Sequence, residues 1–192
     1  PSGAATRIRN LQVHGKDVKT AYAGQRVAVN LAGLKKTDIK RGDAVVKPNT
    51  VRTSRMLDVR LQNLRGSRRV IQNDTQVHLF QGAQQLLAKV VLLDRDALNP
   101  GESCYAQLRM ADPIATKNGD RFVIRFYSPL ETIGGGVILD DCPQRHKRNV
   151  KAVLDALKIK ESGSGGDRVV QVLAEFGSAL PTTAELAAKL HM

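Results

Sequence analysis

The sequence predicts a mainly β fold, with two antiparallel β-barrels, the first incomplete, followed by a small helical part. Apolar and polar residues alternate in short stretches along residues 5–141, which is the pattern of half-buried strands. These stretches recur about every 10–20 residues between turn sequences, with no helix between them, and this spacing is typical of a closed antiparallel barrel. After Pro143 the apolar residues take helical spacing instead.

Residues 1–50 are predicted to form the C-terminal part of the first barrel. A strand around residues 8–13 has one irregular step between its apolar positions, which predicts a bulge. A second strand follows the turn HGKD, residues 27–31 form a third, and residues 44–46 form a last short one. About 45 residues are few for a barrel of five or six strands. We therefore expect the chain to begin partway into this domain.

Residues 51–143 are predicted to form a second, complete barrel of six strands. The connecting sequences DRDALNPGE (94–102) and TKNGD (116–120) contain the Asp, Asn, Gly and Pro residues that favour turns. The predicted strands are residues 56–64, 75–82, 85–94, 103–110, 121–128 and 132–140. Because the chain has no Trp and only 4% aromatic residues, its core must be built from Val, Leu, Ile and Ala.

Residues 144–192 are predicted to form a linker helix and an incomplete winged-helix domain. Apolar residues at helical spacing predict a helix over residues 144–160, and SGSGGD (162–167) predicts a flexible break. The next helix is predicted to end at Gly177, a natural C-cap, and a Thr-x-x-Glu capping box (182–185) begins a third. This order of elements is how a winged helix starts, so we expect its recognition helix and wing to lie beyond this segment.

The formal net charge of +12 favours a polyanionic partner, and nucleic acid more than membrane. The excess is concentrated at the N-terminal end, where residues 1–50 carry 10 basic and 3 acidic side chains. A second basic cluster, RHKR (145–148), is interpreted either as a solvated helix start or as part of a nucleic-acid contact. No basic amphipathic helix with an aromatic face argues for a membrane surface. The alternative is that the excess charge only keeps the protein in solution.

The sequence lacks the common catalytic and metal-binding motifs. It has no G-x-x-x-x-G-K-[ST] phosphate loop, no G-x-S-x-G and no H-E-x-x-H, and its four His residues have no metal-ligand spacing. Cys104 and Cys142 lie far apart, which fits a reducing cytosol better than a disulfide framework. No signal peptide is visible, and no apolar stretch approaches the ~20 residues of a membrane span. We therefore predict that this segment contains no enzyme active site, no cofactor and no metal site.

Two arginines and a tyrosine are predicted to share one face of the strand 121–128. If the apolar residues of this strand point into the core, Arg121, Arg125 and Tyr127 point outward together. Such a face either binds phosphate or is an ordinary solvated barrel face. The glycine run IGGGV (133–137) continues into a strand rather than a helix, so a helix-dipole phosphate site does not apply. Close strand packing or close approach of an RNA backbone would explain these glycines.

The order of these segments resembles that of translational GTPases. The stretch LQVHGKDVKTAYAGQRVAVNLAGLKKTDIKRGDAVV (11–46), with its A-x-A-G-Q motif and R-G-D turn, is similar to their second domain. The six-stranded unit after it resembles their third domain, a barrel that closes with a Gly-rich strand. Within this superfamily, NGDRFVIRFYSPLETIGGGVILD (118–140), followed by a basic helix and a winged-helix beginning, is most similar to bacterial selenocysteine-specific elongation factors.

The resemblance implies a fragment that binds selenocysteinyl-tRNA for delivery to the ribosome at recoded UGA codons. In the family, GTP and Mg²⁺ are held by a GTPase domain that has no counterpart among these residues. The fragment is therefore not expected to have enzymatic activity, although the full-length protein is expected to be a GTPase. The winged-helix domains that bind the messenger hairpin are expected to be missing as well. A cytoplasmic location without membrane contact follows from the same resemblance.

The resemblance also implies roles for individual residues. The family's second domain carries an arginine directly after A-G-Q, which is Arg26 here. This guanidinium, which never loses its proton, is expected to distinguish the selenolate of selenocysteine from the neutral hydroxyl of serine. Its usual partners, an Asp–Arg pair, would lie upstream of Pro1. The residues expected to contact the acceptor and T stems of the tRNA are Arg125, Arg121, Tyr127 and Ser128.

Three alternatives stay open from the sequence alone. The chain could be the corresponding part of a general elongation or initiation factor. It could instead be a winged-helix nucleic-acid-binding regulator, which would need a recognition helix to read a groove. A structural barrel with no ligand is the third, and it would show no salt-dependent RNA binding.

Overall fold

The computed structural model describes residues 3–48, 50–177 and 181–190. These residues contain eleven β-strands, three α-helices and one short 3-10 helix, Lys36–Asp38, so the mainly β prediction is confirmed. They form two compact units, one made of the described residues up to Asp43 and the other of those from Ala44 onwards.

The first unit is a three-stranded antiparallel sheet. Its strands are β1 (Ile8–Val13), β2 (Lys16–Val18) and β3 (Val27–Leu31), in the order β2-β1-β3. His14 and Gly15 join β1 to β2 with φ angles of 51° and 76°, the geometry of a two-residue hairpin turn. The register of β1 against β3 shifts between Ile8 and Asn10, so the predicted bulge is confirmed.

This sheet buries little apolar surface. Val13, which is 8% exposed, is the only buried apolar residue in the described part of the unit. An open sheet of three strands agrees with the expected incomplete first barrel. The prediction of a strand at residues 44–46 is wrong. Val45 and Val46 are 63% and 47% exposed, because no described strand pairs with them.

The second unit contains a closed six-stranded barrel. The strands of this unit are β4 (Thr53–Asn63), β5 (Ile71–Gln72), β6 (Gln76–Gln81), β7 (Gln84–Leu92), β8 (Ala97–Leu98), β9 (Ser103–Ala115), β10 (Arg121–Phe126) and β11 (Thr132–Asp140). The barrel order is β10-β11-β4-β9-β7-β6, all antiparallel, and β5 pairs with β8 as a separate ribbon. The six barrel strands are the six that the sequence predicts, and closure leaves none of them as a free edge.

Aliphatic side chains from alternate strand positions fill the barrel. On β4, Leu57, Val59 and Leu61 are fully buried, and on β10 the buried residues are Phe122 and Ile124. Each such side chain stabilises the fold by roughly 1.5–3 kcal/mol relative to leaving it exposed. The same alternation turns the residues between them outward, which is what creates a usable outer face.

Three helices follow the barrel: α1 (Lys151–Ser162), α2 (Gly165–Phe176) and α3 (Thr183–Leu190). Gly177 follows α2 with a φ of 62°, so the predicted C-cap is confirmed. The predicted capping box is also present. Glu185 N donates to Thr182 Oγ1 at 3.3 Å, and Thr182 N donates to Glu185 Oε2 at 2.8 Å.

Two predictions about the helical part are wrong. The sequence SGSGGD is not a flexible break, since Ser164 caps α2 and Asp167 lies in its first turn. The side chain of each of these residues accepts a hydrogen bond from the backbone N–H of the other. The helix predicted over residues 144–160 begins only at Lys151, because the residues before it are held against the barrel without helical structure.

The segment 143–149 is fixed to the barrel by polar contacts. Arg148 Nε donates to a backbone carbonyl of β7 at 2.8 Å. His146 Nε2 lies 2.8 Å from Oδ2 of Asp58, which is only 1% exposed, and Gln107 donates to the other Asp58 oxygen at 2.9 Å. The cluster RHKR is therefore not a solvated helix start, because two of its four residues bind the barrel.

The helix α1 packs on the barrel through an apolar cluster that includes Leu157 and Tyr105. Lys160 forms ion pairs with Asp140 of β11 and with Glu175 of α2, the second at 3.1 Å. Burial alone would lower the pKa of Lys160, but the two carboxylates outweigh it and the pKa is raised. Among the described residues, no helix is both long and apolar enough to cross a membrane.

Candidate nucleic-acid interface

Two neighbouring strands and the residue after them form an outward surface that we call the β6–β10 face. It consists of His78 and Phe80 of β6, Arg121, Val123 and Arg125 of β10, and Tyr127. The antiparallel register of the two strands places Arg125 opposite His78. Because Phe122 and Ile124 point into the core, the intervening residues point outward, as the alternation predicts.

Aromatic side chains dominate the centre of the β6–β10 face. The rings of His78 and Tyr127 are stacked, with centroids 5.4 Å apart and planes 7° from parallel. Phe80 lies next to them, its ring centroid 6.4 Å from that of His78, and Gln85 Nε2 is 3.3 Å from His78 Nδ1. Tyr127 is 53% exposed, so its outer ring surface and hydroxyl face solvent. Such a surface suits ribose, base or backbone contact with RNA.

Sequence reasoning missed His78 and Phe80 as members of this face. Both alternate outward along β6, but nothing in the sequence shows that β6 pairs with β10 rather than with another strand. Only closure of the barrel brings the two strands together.

Arg125 is half-buried and makes two contacts within the barrel unit. Its Nη2 donates to Leu130 O at 2.9 Å, and its guanidinium lies 5.9 Å from the Phe80 ring centroid. Its buried Nε makes no hydrogen bond within the described part of the chain. Arg121 is fully outward and has no ion-pair partner among the described residues, and Ser128 is exposed in the turn that follows β10.

A basic loop, residues 64–70, reaches the end of the β6–β10 face. It carries Arg65, Arg68 and Arg69 and no acidic residue. Arg69 lies 4.0 Å over the Phe126 ring, and its Nε is 3.2 Å from a carboxylate oxygen of Glu131. The first two arginines are exposed and form no ion pair within the part of the chain that the structure describes.

Arg26 lies directly before β3, at the end of a tight turn. Gln25 N donates to Tyr22 O at 3.3 Å, and Tyr22 N donates to Gln25 Oε1 at 2.8 Å. The Arg26 side chain is exposed and makes no hydrogen bond or ion pair with any residue that the structure describes. Its guanidinium is therefore free to meet a ligand, and its predicted role stays a prediction.

The glycine run of β11 is explained by strand packing. A Cβ on Gly136 would lie 1.8 Å from Arg60 O, and a Cβ on Gly134 or Gly135 would lie 2.4 Å or 2.5 Å from backbone oxygens of β4 and β10. Neighbouring strands thus occupy the space that a side chain would need. Of the two interpretations left open by the sequence, close packing accounts for the run without any RNA backbone.

The two cysteines lie outside the β6–β10 face. Cys104 is buried, and burial is the main cause that raises its pKa to about 12, while Cys142 is exposed. Within the described ranges, no three His, Cys, Asp or Glu side chains are grouped so that they could hold a metal ion.

Comparison with known proteins gives a consistent result. Residues 57–145 match the model of a family described as the beta-barrel domain of selenocysteine-specific elongation factor. The selenocysteine-specific elongation factor of Desulfomicrobium baculatum is 36% identical over 186 residues, which is 97% of this chain and 29% of that protein. The factor of the same name from Escherichia coli K12 is 29% identical over 144 residues, covering 74% of this chain and 22% of that protein.

A crystal structure of a bacterial selenocysteine-specific elongation factor has the same fold. It superimposes with a TM-score of 0.74 at 21% identity and covers 97% of this chain and 28% of the solved chain. The chain thus spans less than a third of the length of the relatives that it matches.

Proposed function

Since the chain belongs to the family of selenocysteine-specific elongation factors, we propose that it is a segment of such a factor that binds selenocysteinyl-tRNA. The bound tRNA would be delivered to the ribosome at recoded UGA codons. The β6–β10 face carries this proposal, because it combines arginines with an exposed tyrosine ring, stacked on His78, on the outside of a closed barrel. The net charge of +12 supports a polyanionic partner.

The β6–β10 face is proposed to contact the acceptor and T stems. Duplex RNA is recognised mainly by shape, by phosphate and by 2′-hydroxyl groups. Arg121 and Arg125 would bind phosphates, and the hydroxyls of Tyr127 and Ser128 would hydrogen-bond phosphate or ribose. The stacked contact with the His78 ring holds the Tyr127 ring in place.

Arg26 is proposed to recognise the amino acid on the tRNA. Selenocysteine is ionised at neutral pH, whereas the hydroxyl of serine is neutral. A guanidinium stays charged at every accessible pH and offers five donors, so it favours the selenolate. The exposure of Arg26, and its lack of an ion-pair partner among the described residues, support this role.

The remaining steps of the family's activity are placed elsewhere. GTP and Mg²⁺ would be held by a GTPase domain, and the messenger hairpin by further winged-helix domains, neither of which the residues of this chain provide. We propose residues 1–50 as part of domain II, 51–143 as domain III and 144–192 as a linker helix with a winged-helix beginning. The ribosome would be the second partner, and the activity would take place in the cytoplasm, where translation occurs.

The test is the affinity of the chain for a selenocysteine-tRNA transcript at low salt. Arg125→Glu should weaken binding roughly tenfold, because it removes a phosphate contact and adds repulsion. Arg168→Glu, an equal charge change on the exposed face of α2, is the matched control and should have little effect. Equal affinities of the Arg125 variant and the original chain would remove the β6–β10 face from the interface.

A further inference from the structure

We propose that Arg69 is a positioning residue, which holds the turn after β10 in place instead of binding phosphate itself. The turn, residues 127–130, presents Tyr127 and Ser128 to solvent. This inference rests on the proposed function, because it concerns how the same face is kept ready for RNA. It adds a residue that no sequence motif singles out.

Arg69 contacts both residues that flank the turn. Its guanidinium lies 4.0 Å over the ring of Phe126, the last residue of β10, and its Nε is 3.2 Å from Oε2 of Glu131. The same two residues close the base of the turn, where Phe126 N donates to Glu131 O at 2.7 Å. Arg125 adds one more tie, because its Nη2 donates to Leu130 O. The turn is therefore clamped at its base and along its second half.

The backbone that carries Arg69 is itself fixed. Asn63, which is fully buried, donates from Nδ2 to Arg69 O at 2.8 Å and to Leu98 O at 3.0 Å. Arg69 N donates to the Oγ of Ser67, an 8% exposed residue, at 3.1 Å. The guanidinium thus extends from a rigid support, which is what a clamp requires and a loose phosphate-binding side chain does not.

The charge of Glu131 also supports a positioning role for Arg69. A carboxylate at the rim of an RNA-binding face repels phosphate, and Glu131 is 43% exposed there. Its position is explained if it orients Arg69, whose planar guanidinium can pair with a carboxylate and stack on a ring at once. The neighbouring Arg68 has neither contact and is exposed, so it offers a matched control.

Glu131→Gln separates the two interpretations by the sign of its effect. Removal of a negative charge near RNA should tighten binding if electrostatics alone mattered. If Arg69 holds the turn through Glu131, the affinity for a selenocysteine-tRNA transcript should instead fall by roughly fivefold, the size expected for the net contribution of one typical hydrogen bond. Tighter binding by the Glu131 variant would overturn the proposal.

Two further variants examine Arg69 itself. Arg69→Lys keeps the charge but cannot stack and pair in one plane, so binding should fall while the salt dependence stays unchanged. The loss of one phosphate contact would instead reduce the slope of log affinity against log salt by about 0.7–0.9. Arg68→Gln, which removes an exposed charge that has neither contact, provides the comparison. Unchanged RNA affinity in Arg69→Lys would show that Arg69 binds phosphate. A fall of about 0.7–0.9 in the salt slope of Arg69→Gln would show the same.

A measurement without RNA keeps the inference separate from the proposed function. The chain has no Trp, so Tyr127→Trp places a single fluorescent reporter in the turn. Adding Glu131→Gln should lower the fluorescence anisotropy of this reporter as the turn loosens, and unchanged anisotropy would contradict the clamp. If Arg125→Glu leaves RNA binding intact, and Glu131→Gln still lowers the anisotropy of the Trp reporter, the proposed function fails and only the role of Arg69 in holding the turn stands.

Discussion

Gly136→Ala should destabilise the barrel, because β11 and β4 meet backbone to backbone at this residue. The new Cβ would lie 1.8 Å from Arg60 O, 2.9 Å from Arg60 C and 3.1 Å from Cζ of Phe122. Contacts of a Cβ below 3.0 Å essentially do not occur, so the strands must part by at least the difference between 3.0 and 1.8 Å, which is 1.2 Å.

A movement of that size disturbs the strand ladder on both sides of Gly136. The residue pairs with Leu61 of β4 and with Phe122 of β10. Overpacking alone costs about 1–3 kcal/mol, and each weakened backbone hydrogen bond adds about 1 kcal/mol. We therefore expect the free energy of unfolding to fall by ~3–5 kcal/mol, a large share of the 5–15 kcal/mol typical of a domain.

Urea unfolding followed by circular dichroism measures this change. Gly66→Ala is the matched control, since a Cβ there meets nothing within 4 Å, and its effect should stay within about 0.5 kcal/mol. A loss below about 1 kcal/mol in Gly136→Ala would refute the packing explanation. Normal stability combined with lost RNA binding would restore the interpretation that the glycines admit an RNA backbone.

Three further predictions concern cargo, pH and thiol chemistry. In a chimera where this chain replaces the matching segment of the Desulfomicrobium relative, Arg26→Ala should weaken selenocysteinyl-tRNA binding far more than seryl-tRNA binding. Equal losses for the two tRNAs would refute selenolate recognition. The hydrogen bond to Asp58 raises the pKa of His146, so its stabilising contribution is fully present below about pH 6.5 and is lost as pH rises through the raised pKa. Urea unfolding should show that the free energy of unfolding declines as the pH rises through this range, and that His146→Gln abolishes the decline. An identical decline in the variant would contradict the prediction. Ellman's reagent should modify Cys142 rapidly in the folded chain and Cys104 only after unfolding, because the latter is buried with a pKa of about 12. Rapid modification of both thiols in the folded chain would contradict the buried position of Cys104.

Much of the fold could be predicted from the sequence, because strand alternation and turn residues are local signals. The six barrel strands and the Gly177 cap follow from patterns within a few residues. The helix start at Lys151 could not be predicted in this way. The segment before Lys151 adjoins a stretch with helical spacing, but its hydrogen bonds to Asp58 and to the Leu92 carbonyl of β7 override local preference.

The candidate site was only partly accessible to sequence reasoning. The outward set on β10 followed from alternation, so Arg121, Arg125 and Tyr127 could be named. His78 and Arg69 could not, since each joins the face through a partner distant in sequence. Closure of the barrel and the path of a loop decide such contacts, and neither leaves a periodic signal.

The most direct measurement is site-specific cross-linking from the β6–β10 face. A photoreactive benzoylphenylalanine placed at Tyr127 should cross-link a bound selenocysteine-tRNA transcript in its acceptor or T stem, and the same group at Arg168 of α2 should give little product. Because Tyr127 is 53% exposed and lies beside Arg125, the group can reach RNA without unfolding the barrel. Cross-links from position 168 with none from position 127 would contradict the proposed interface.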